Sequence, residues 1–162
     1  MKACIEGAAE NIKAGDIQEV CITFDRILLA TDGSEPAVLA TQYAVTLAKT
    51  YGASVLAIYV DDGVEALQLP EEMESDDSWE GYHPSVKGLA VVKLMAERNG
   101  VPVEVKIVRG GVAKRIIKTA QDIDADLIVL GETGRTGLKR LGMGSIAETV
   151  VKGAETPVLV IK

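Results

Sequence analysis

The sequence predicts an open α/β fold, a five-stranded parallel sheet with helices on both faces. Three observations lead there. Short runs rich in Val, Ile and Leu recur five times along the 162 residues, several of them apolar at successive positions, as strands covered on both sides are. The stretches between the runs carry apolar residues at i, i+3, i+4 and i+7, one apolar face per helix. Serine and glycine punctuate the boundaries where helix caps belong.

Taken in order, FDRILLATD (24–32) reads as the first strand, and after SEP a helix places Ala40, Ala44, Leu47, Ala48 and Tyr51 on one face. ASVLAIYVD (53–61) is the second strand, followed after HPS by a helix with Val86, Leu89, Ala90 and Ala96. VEVKIVR (103–109) precedes a helix with Ala113, Ile116, Ile117, Ala120 and Ile123. ADLIVLG (125–131) precedes a helix with Ile146, Ala147, Val150 and Val151, and PVLVIK (157–162) is the fifth strand. Ser34, Ser85 and Ser145 are the expected N-caps, and Gly52 and Gly100 the expected C-cap glycines. Five strands joined by four helical crossovers make a parallel sheet.

A chain of this length forms one domain and buries roughly 70% of its unfolded surface, so it needs no metal or disulfide to hold its core. The formal net charge of −7 argues against nucleic acid and against anionic membrane surfaces as partners. It leaves room for a small anion at a locally positive site. Cys4 and Cys21 lack metal-ligand spacing and read as reduced structural thiols, which places the protein in the cytoplasm. Acidic residues Glu6, Glu10 and Asp16 interrupt the N-terminal stretch, and no apolar run nears 18 residues, so neither a secretion signal nor a membrane span is expected.

Two segments fall outside the alternation. Residues 62–84 are acidic, contain two prolines and lack a sustained period, which reads as a long surface loop. Residues 1–22 form an N-terminal extension to a domain at 23–162. Ile5, Ala8, Ala9 and Ile12 share one helical face there, the pattern of a short docking helix. The single histidine, His83, falls in the acidic loop and reads as a solvated surface residue. No Ser/His/Asp or Cys/His set assembles, so no catalytic residue is assigned.

The segment GETGRTGLKRLGMGS (131–145) holds five glycines in fifteen positions between a strand and a helix. GMGSIA (142–147), which overlaps its end, matches the dinucleotide fingerprint, but that pattern must follow its strand directly and be followed by an acidic residue about 20 positions on. Neither condition holds, and no Walker A pattern is present. What remains is Gly131-x-x-Gly134, nine residues, then Gly144-Ser145 opening a helix. A helix N-terminus offers unpaired N–H groups and the positive end of the dipole to an anion, and Arg135, Lys139 and Arg140 add cations. Ser145-x-x-Glu148 is also a capping box, which uses the same N–H groups. The residues alone leave both readings open.

This glycine pattern after the fourth strand, together with ATDGS at the end of the first and TPVLVIK at the C-terminus, resembles the universal stress protein family, specifically its ATP-binding branch. The resemblance covers about residues 24–162 and implies a Rossmann-like sheet ordered 3-2-1-4-5. Strands 1 and 4 are then neighbours at the switch point where open α/β sheets bind ligands. By that resemblance Ala30, Thr31 and Asp32 line the ribose and adenine side, with Asp32 facing ribose or a phosphate-bound Mg²⁺. Val60 reads adenine through its backbone. Gly131, Gly134, Arg135, Gly144, Ser145 and Ile146 form the phosphate loop, for ATP, ADP or AMP. Asp32 has a second reading, as a turn residue in DGS. The resemblance further implies a homodimer through the C-terminal edge strand and a nucleotide-binding regulatory role. A slow ATP hydrolase or phosphotransferase is the alternative, and a dimerisation module without nucleotide the third. Residues 62–84, just past Val60, are placed to change mobility when nucleotide binds. Two features depart from the family pattern. Glu132 puts a carboxylate inside the glycine motif, where it must face solvent or weaken phosphate binding. The extension 1–22 has no counterpart in the minimal domain, and is positioned by sequence to cover either the crevice or a dimer edge.

Overall fold

Each apolar run becomes a strand whose ends lie within two residues of the pattern's. In the computed structural model, which describes residues 22–63, 82–134 and 142–162, the strands are β1 (Arg26–Ala30), β2 (Ser54–Asp61), β3 (Val103–Arg109), β4 (Leu127–Gly131) and β5 (Val158–Ile161). The helices are α1 (Glu35–Tyr51), α2 (Pro84–Arg98), α3 (Val112–Asp122) and α4 (Ser145–Gly153). All strand pairs are parallel and the order is β3-β2-β1-β4-β5, as the sequence led us to expect.

Alternation along the strands divides the core into two layers. Ile27, Leu29, Val55, Ala57 and Val129 face α1 and α2, while Leu28, Ile58, Ile128 and Leu130 face α3 and α4. The central strands β1 and β4 are covered on both faces, which is why their sequences are apolar at successive positions. Each fully buried Leu, Ile or Val contributes about 1.5–3 kcal/mol of transfer free energy. At the foot of the sheet Asp126 Oδ2 accepts N–H groups from Asp25 at 2.7 Å and Arg26 at 3.0 Å, which fixes where β1 begins beside β4.

The caps differ from expectation in a consistent way. Pro84 holds the first helical position of α2, so the N-cap is His83 and Ser85 lies inside the first turn. His83 Nδ1 accepts the Ser85 N–H and also meets the Ser85 hydroxyl, while the His83 ring lies 6.1 Å from that of Tyr59. His83 is thus a half-buried structural cap rather than a solvated surface residue. At α4 the N-cap is Gly144, not Ser145. The capping box is not formed, because Glu148 bonds Lys152 Nζ at 2.6 Å instead. That hydrogen bond and charge hold the Glu148 carboxyl below its usual range. Ser34 does cap α1 by position, but its side chain makes no cap bond. Gly52 ends α1 in the left-handed region at φ 70°, as expected.

Two helix faces are narrower than their patterns. α1 buries Ala37, Ala40, Thr41, Ala44, Val45 and Ala48, but Tyr51 is 44% exposed. α4 buries Ala147 and Val150 and leaves Ile146 and Val151 outside. Residues 1–21, which include the expected docking helix and both cysteines, lie outside the described residues, as do 64–81 of the acidic loop.

Candidate functional site

The switch point sits where β1 and β4 end side by side, at Ala30↔Leu130. From each end the chain turns into a loop, and the two loops touch. After β1, the buried Thr31 anchors its N–H to Ile58 O at 2.9 Å, and its hydroxyl accepts the Gly33 N–H at 3.3 Å. Asp32 Oδ1 accepts the Ser34 N–H at 3.0 Å. Asp32 therefore does the turn work of the DGS sequence with one oxygen. Its other oxygen points across to the glycine motif, where a Cβ on Gly134 would stand 2.7 Å from Oδ2.

After β4, Gly131 and Gly144 each admit a close neighbour. A Cβ at Gly131 would lie 2.9 Å from Pro36 Cβ and 3.1 Å from Ala37 N, in the first turn of α1. A Cβ at Gly144 would lie 2.8 Å from the Glu132 carbonyl oxygen, which already accepts the Gly144 N–H at 2.9 Å. Glu132 is the hub of this arrangement: its own N–H donates to Ile161 O at 2.6 Å, tying β4, β5 and the start of α4 together. Its carboxylate lies 4.0 Å from Lys162 Nζ. The carboxylate is thus compensated by a cation at the end of β5, an arrangement that the glycine motif read in isolation did not reveal.

Two helix N-termini open onto this junction. In α4 the N–H groups of Ser145, Ile146 and Ala147 have no intrahelical acceptor by position, and Ser145 and Ile146 are exposed. The Gly144 N–H, expected to face a phosphate, is taken by Glu132. In α1 the Ser34 hydroxyl oxygen is buried and has no hydrogen-bond partner among the described residues. Pro36 removes one N–H from that first turn. Structure thus brings together Ala30, Thr31, Asp32, Gly131, Gly134, Gly144, Ser145 and Ile146, while Arg135, Lys139 and Arg140 lie outside the described residues.

Val60 stands on the flank. β2 outruns β1 by three residues, since the β1 pairing ends at Ala30↔Ile58 while β3 follows β2 to Asp61↔Arg109. Ile58 O faces β1, accepting from Thr31, whereas Asp61 O faces β3, accepting from Gly110 N at 3.0 Å. By the two-residue period of a strand, the N–H and C=O of Val60 face the β1 side, beyond the last residue that pairs there. One donor and one acceptor are presented to the crevice. Sequence reasoning placed the Glu132 carboxylate in the motif but missed its backbone role, and it missed the Ser34 hydroxyl. An unbonded cap hydroxyl and a backbone hub are both set by the neighbouring loop, so no local signal marks them.

A second cleft, of about 370 Å³, lies at the amino ends of the strands among Arg26, Leu56, Val103 and Ile123. Arg26 there donates to Ile123 O at 2.8 Å, and the lining carries no glycine-framed helix start. Among the described residues no cluster of three metal-ligating side chains occurs. No helix among them is long and apolar enough to cross a membrane.

Comparison with known proteins agrees with the fold. The family model for the universal stress protein family matches residues 23–162. Universal stress protein MJ0531 of Methanocaldococcus jannaschii is 41% identical over 144 residues, spanning 86% of this chain and 82% of the relative. The solved structure of the hypothetical protein MJ0577 superposes with a TM-score of 0.66 at 29% identity, covering 87% of this chain and 97% of that one. A universal stress protein solved in complex with cAMP has a TM-score of 0.64 at 20% identity, covering 87% and 98%. With a family model spanning the whole α/β domain and a relative sharing two residues in five, the chain belongs to the universal stress protein family.

Proposed function

We propose that this protein is an adenine-nucleotide-binding regulatory module, taking ATP, ADP or AMP at the β1/β4 switch point. One observation carries the reading: the carboxyl ends of β1 and β4 meet two helix N-termini across a junction where Gly131 and Gly144 leave no room for a Cβ. Ser145 and Ile146 N–H groups at the start of α4 would receive phosphate, each charge-assisted contact at a helix start contributing up to about 1 kcal/mol. Arg135 would meet the phosphates bidentately. The outward N–H and C=O of Val60 match the acceptor and donor on the amino-bearing edge of adenine. Ala30 and Thr31 would line the ribose side. The cAMP complex of a structural relative supports a site for this ligand class in the fold.

Asp32 fits Mg²⁺ as a single carboxylate beside the phosphates, because Mg²⁺ is commonly held by one or two carboxylates plus substrate phosphate oxygens. When bound, the ion would neutralise phosphate charge next to Glu132. No described side chain is placed as a general base, which favours binding over turnover; a slow hydrolase or phosphotransferase remains the competing reading. Purified protein, denatured and analysed by mass spectrometry, is expected to release an adenine nucleotide. Arg135→Ala is expected to weaken ATP at least about tenfold while leaving adenosine nearly unchanged, since in this reading its guanidinium would meet only phosphate. Equal losses for both ligands would overturn the assignment of Arg135, and turnover with Mg²⁺ would favour the enzyme.

The same reading includes a homodimer through β5. Ile128 N donates to Pro157 O and Glu132 N to Ile161 O, so residues 157, 159 and 161 bond towards β4 and Val158 and Val160 present their N–H and C=O groups outward. An edge strand with unpaired backbone and apolar faces is a template for a second strand, and an antiparallel copy across a two-fold axis would satisfy both chains. Val160→Pro removes an outward N–H without touching the β4 ladder. Light scattering is expected to show a dimer for the unsubstituted chain and a monomer for this variant; an unsubstituted chain that is monomeric at micromolar concentration would refute the dimer.

A further inference from the structure

The outer face of α1 carries an apolar ridge that the domain itself does not cover. Leu39, Tyr43, Leu47 and Tyr51 follow one another at i+4 spacing, the row that forms a packing ridge on a helix. Leu39 is 37%, Tyr43 49% and Tyr51 44% exposed, and Leu47 is half-buried against the core. Its side of the helix is fixed by geometry. At 100° per residue, Lys49 lies on the flank of α1 opposite Leu47 and Tyr51, and Lys49 Nζ bonds Asn99 Oδ1, the C-cap of α2. The ridge therefore looks away from α2, towards the β5 edge of the sheet.

The described chain begins at the foot of this ridge. Ile22 is 54% exposed, and two residues on, the Phe24 ring packs edge-on against Tyr51 with centroids 4.9 Å apart. The first described residues thus lie at the end of α1 where the ridge starts. The sequence before them carries a matching face: Cys4, Ala8 and Ile12 follow the same i+4 spacing, flanked by Ile5 and Ala9. The two alanines allow close approach of a helix to bulky tyrosines. The reach suffices, since the ridge from Tyr51 to Leu39 is about 18 Å long and residues 13–21 span up to about 30 Å when extended.

We infer that the N-terminal segment of the same chain docks its Cys4–Ile5–Ala8–Ala9–Ile12 face on the Leu39–Tyr43–Leu47–Tyr51 ridge of α1. This places it beside the β5 edge of the sheet. The inference is independent of nucleotide binding. Docking shields apolar area that a monomeric surface otherwise leaves exposed as a patch.

Cysteine trapping in the full-length protein tests it, using the natural Cys4 after Cys21→Ser. Leu39→Cys, Tyr43→Cys and Tyr51→Cys are made singly on the ridge, with Lys118→Cys on the exposed side of α3 as the control. Each is treated with a short bis-maleimide, and the products are separated by size and mapped by mass spectrometry. Intrachain linkage from Cys4 is expected to form at least about tenfold faster at one or more ridge positions than at the control, because docking raises the local concentration of the thiol. In the same proteins Ile12→Asp is expected to abolish that difference. Equal rates at ridge and control positions would overturn the inference, as would links that join two chains, which would assign the ridge to a second copy. Because all three ridge positions are at least a third exposed, cysteine there leaves the core intact.

Discussion

Gly144→Val is expected to abolish nucleotide binding, raising the dissociation constant more than about a hundredfold, or about 2.7 kcal/mol. The Cβ it introduces would lie 2.8 Å from the Glu132 carbonyl oxygen, a backbone atom that cannot swing aside. The start of α4 must then move off Glu132, and the N–H groups of Ser145 and Ile146 move with it. Loss of the Gly144–Glu132 hydrogen bond adds a stability cost of about 0.5–1.5 kcal/mol, the net contribution of a typical intramolecular hydrogen bond. The buried face of α4, Ala147 and Val150, is untouched, so the variant folds with a lowered Tm. Calorimetric titration with ATP checks the first part and urea denaturation the second. Unchanged ATP affinity would sink the phosphate reading of the loop.

Gly88→Ala is the larger test of the scaffold. Gly88 in α2 faces Gly33 in the turn after β1, and a Cβ on Gly88 would stand 2.7 Å from Gly33 Cα and 2.8 Å from Gly33 N. Both are backbone atoms, and Gly33 is itself held at φ 74° between Thr31 and Ser34. α2 must retreat from the turn, at about 2–4 kcal/mol, against a gain of up to about 1 kcal/mol in helix propensity. Equilibrium denaturation is expected to show a clear net loss. Because Asp32 and the Thr31 hydroxyl sit in the displaced turn, nucleotide affinity is expected to fall as well. A variant as stable as the parent would mean that α2 and the turn slide past one another freely.

Much of the fold is legible in the sequence because its signals are local. β1 and β4 are central strands, and RILLA and LIVLG show it by being apolar on both faces; the helical period of Ile116 and Ala120 or of Ala147 and Val150 marks buried faces without reference to anything else. Gly131 and Gly144 of the glycine-rich segment likewise mark close approach. Local rules failed where two candidates compete for one role. Ser85 and Ser145 are good N-caps by residue type, yet the caps are His83 and Gly144, because Pro84 fixes the first helical φ of α2 and the Gly144 N–H is drawn to Glu132. His83-Pro84 carried that signal in advance, since proline favours the first helical position. The apolar reading of Tyr51 erred for a related reason: the pattern gives a stripe, and only the position of the sheet decides which edge of the stripe is covered.

The sequence by itself determined the secondary structure and the two-faced burial of the central strands. Those depend on backbone propensity and on periodicity, which each segment carries alone. Tertiary structure alone decided that Asp32 splits its two oxygens between its own turn and Gly134, that Glu132 ties β4, β5 and α4 and pairs with Lys162, and that Val160 rather than Leu159 faces the open edge. Each of these joins segments separated by tens to more than a hundred residues, and a hydrogen bond's direction is fixed by the register of the strands that carry it, which no single segment encodes.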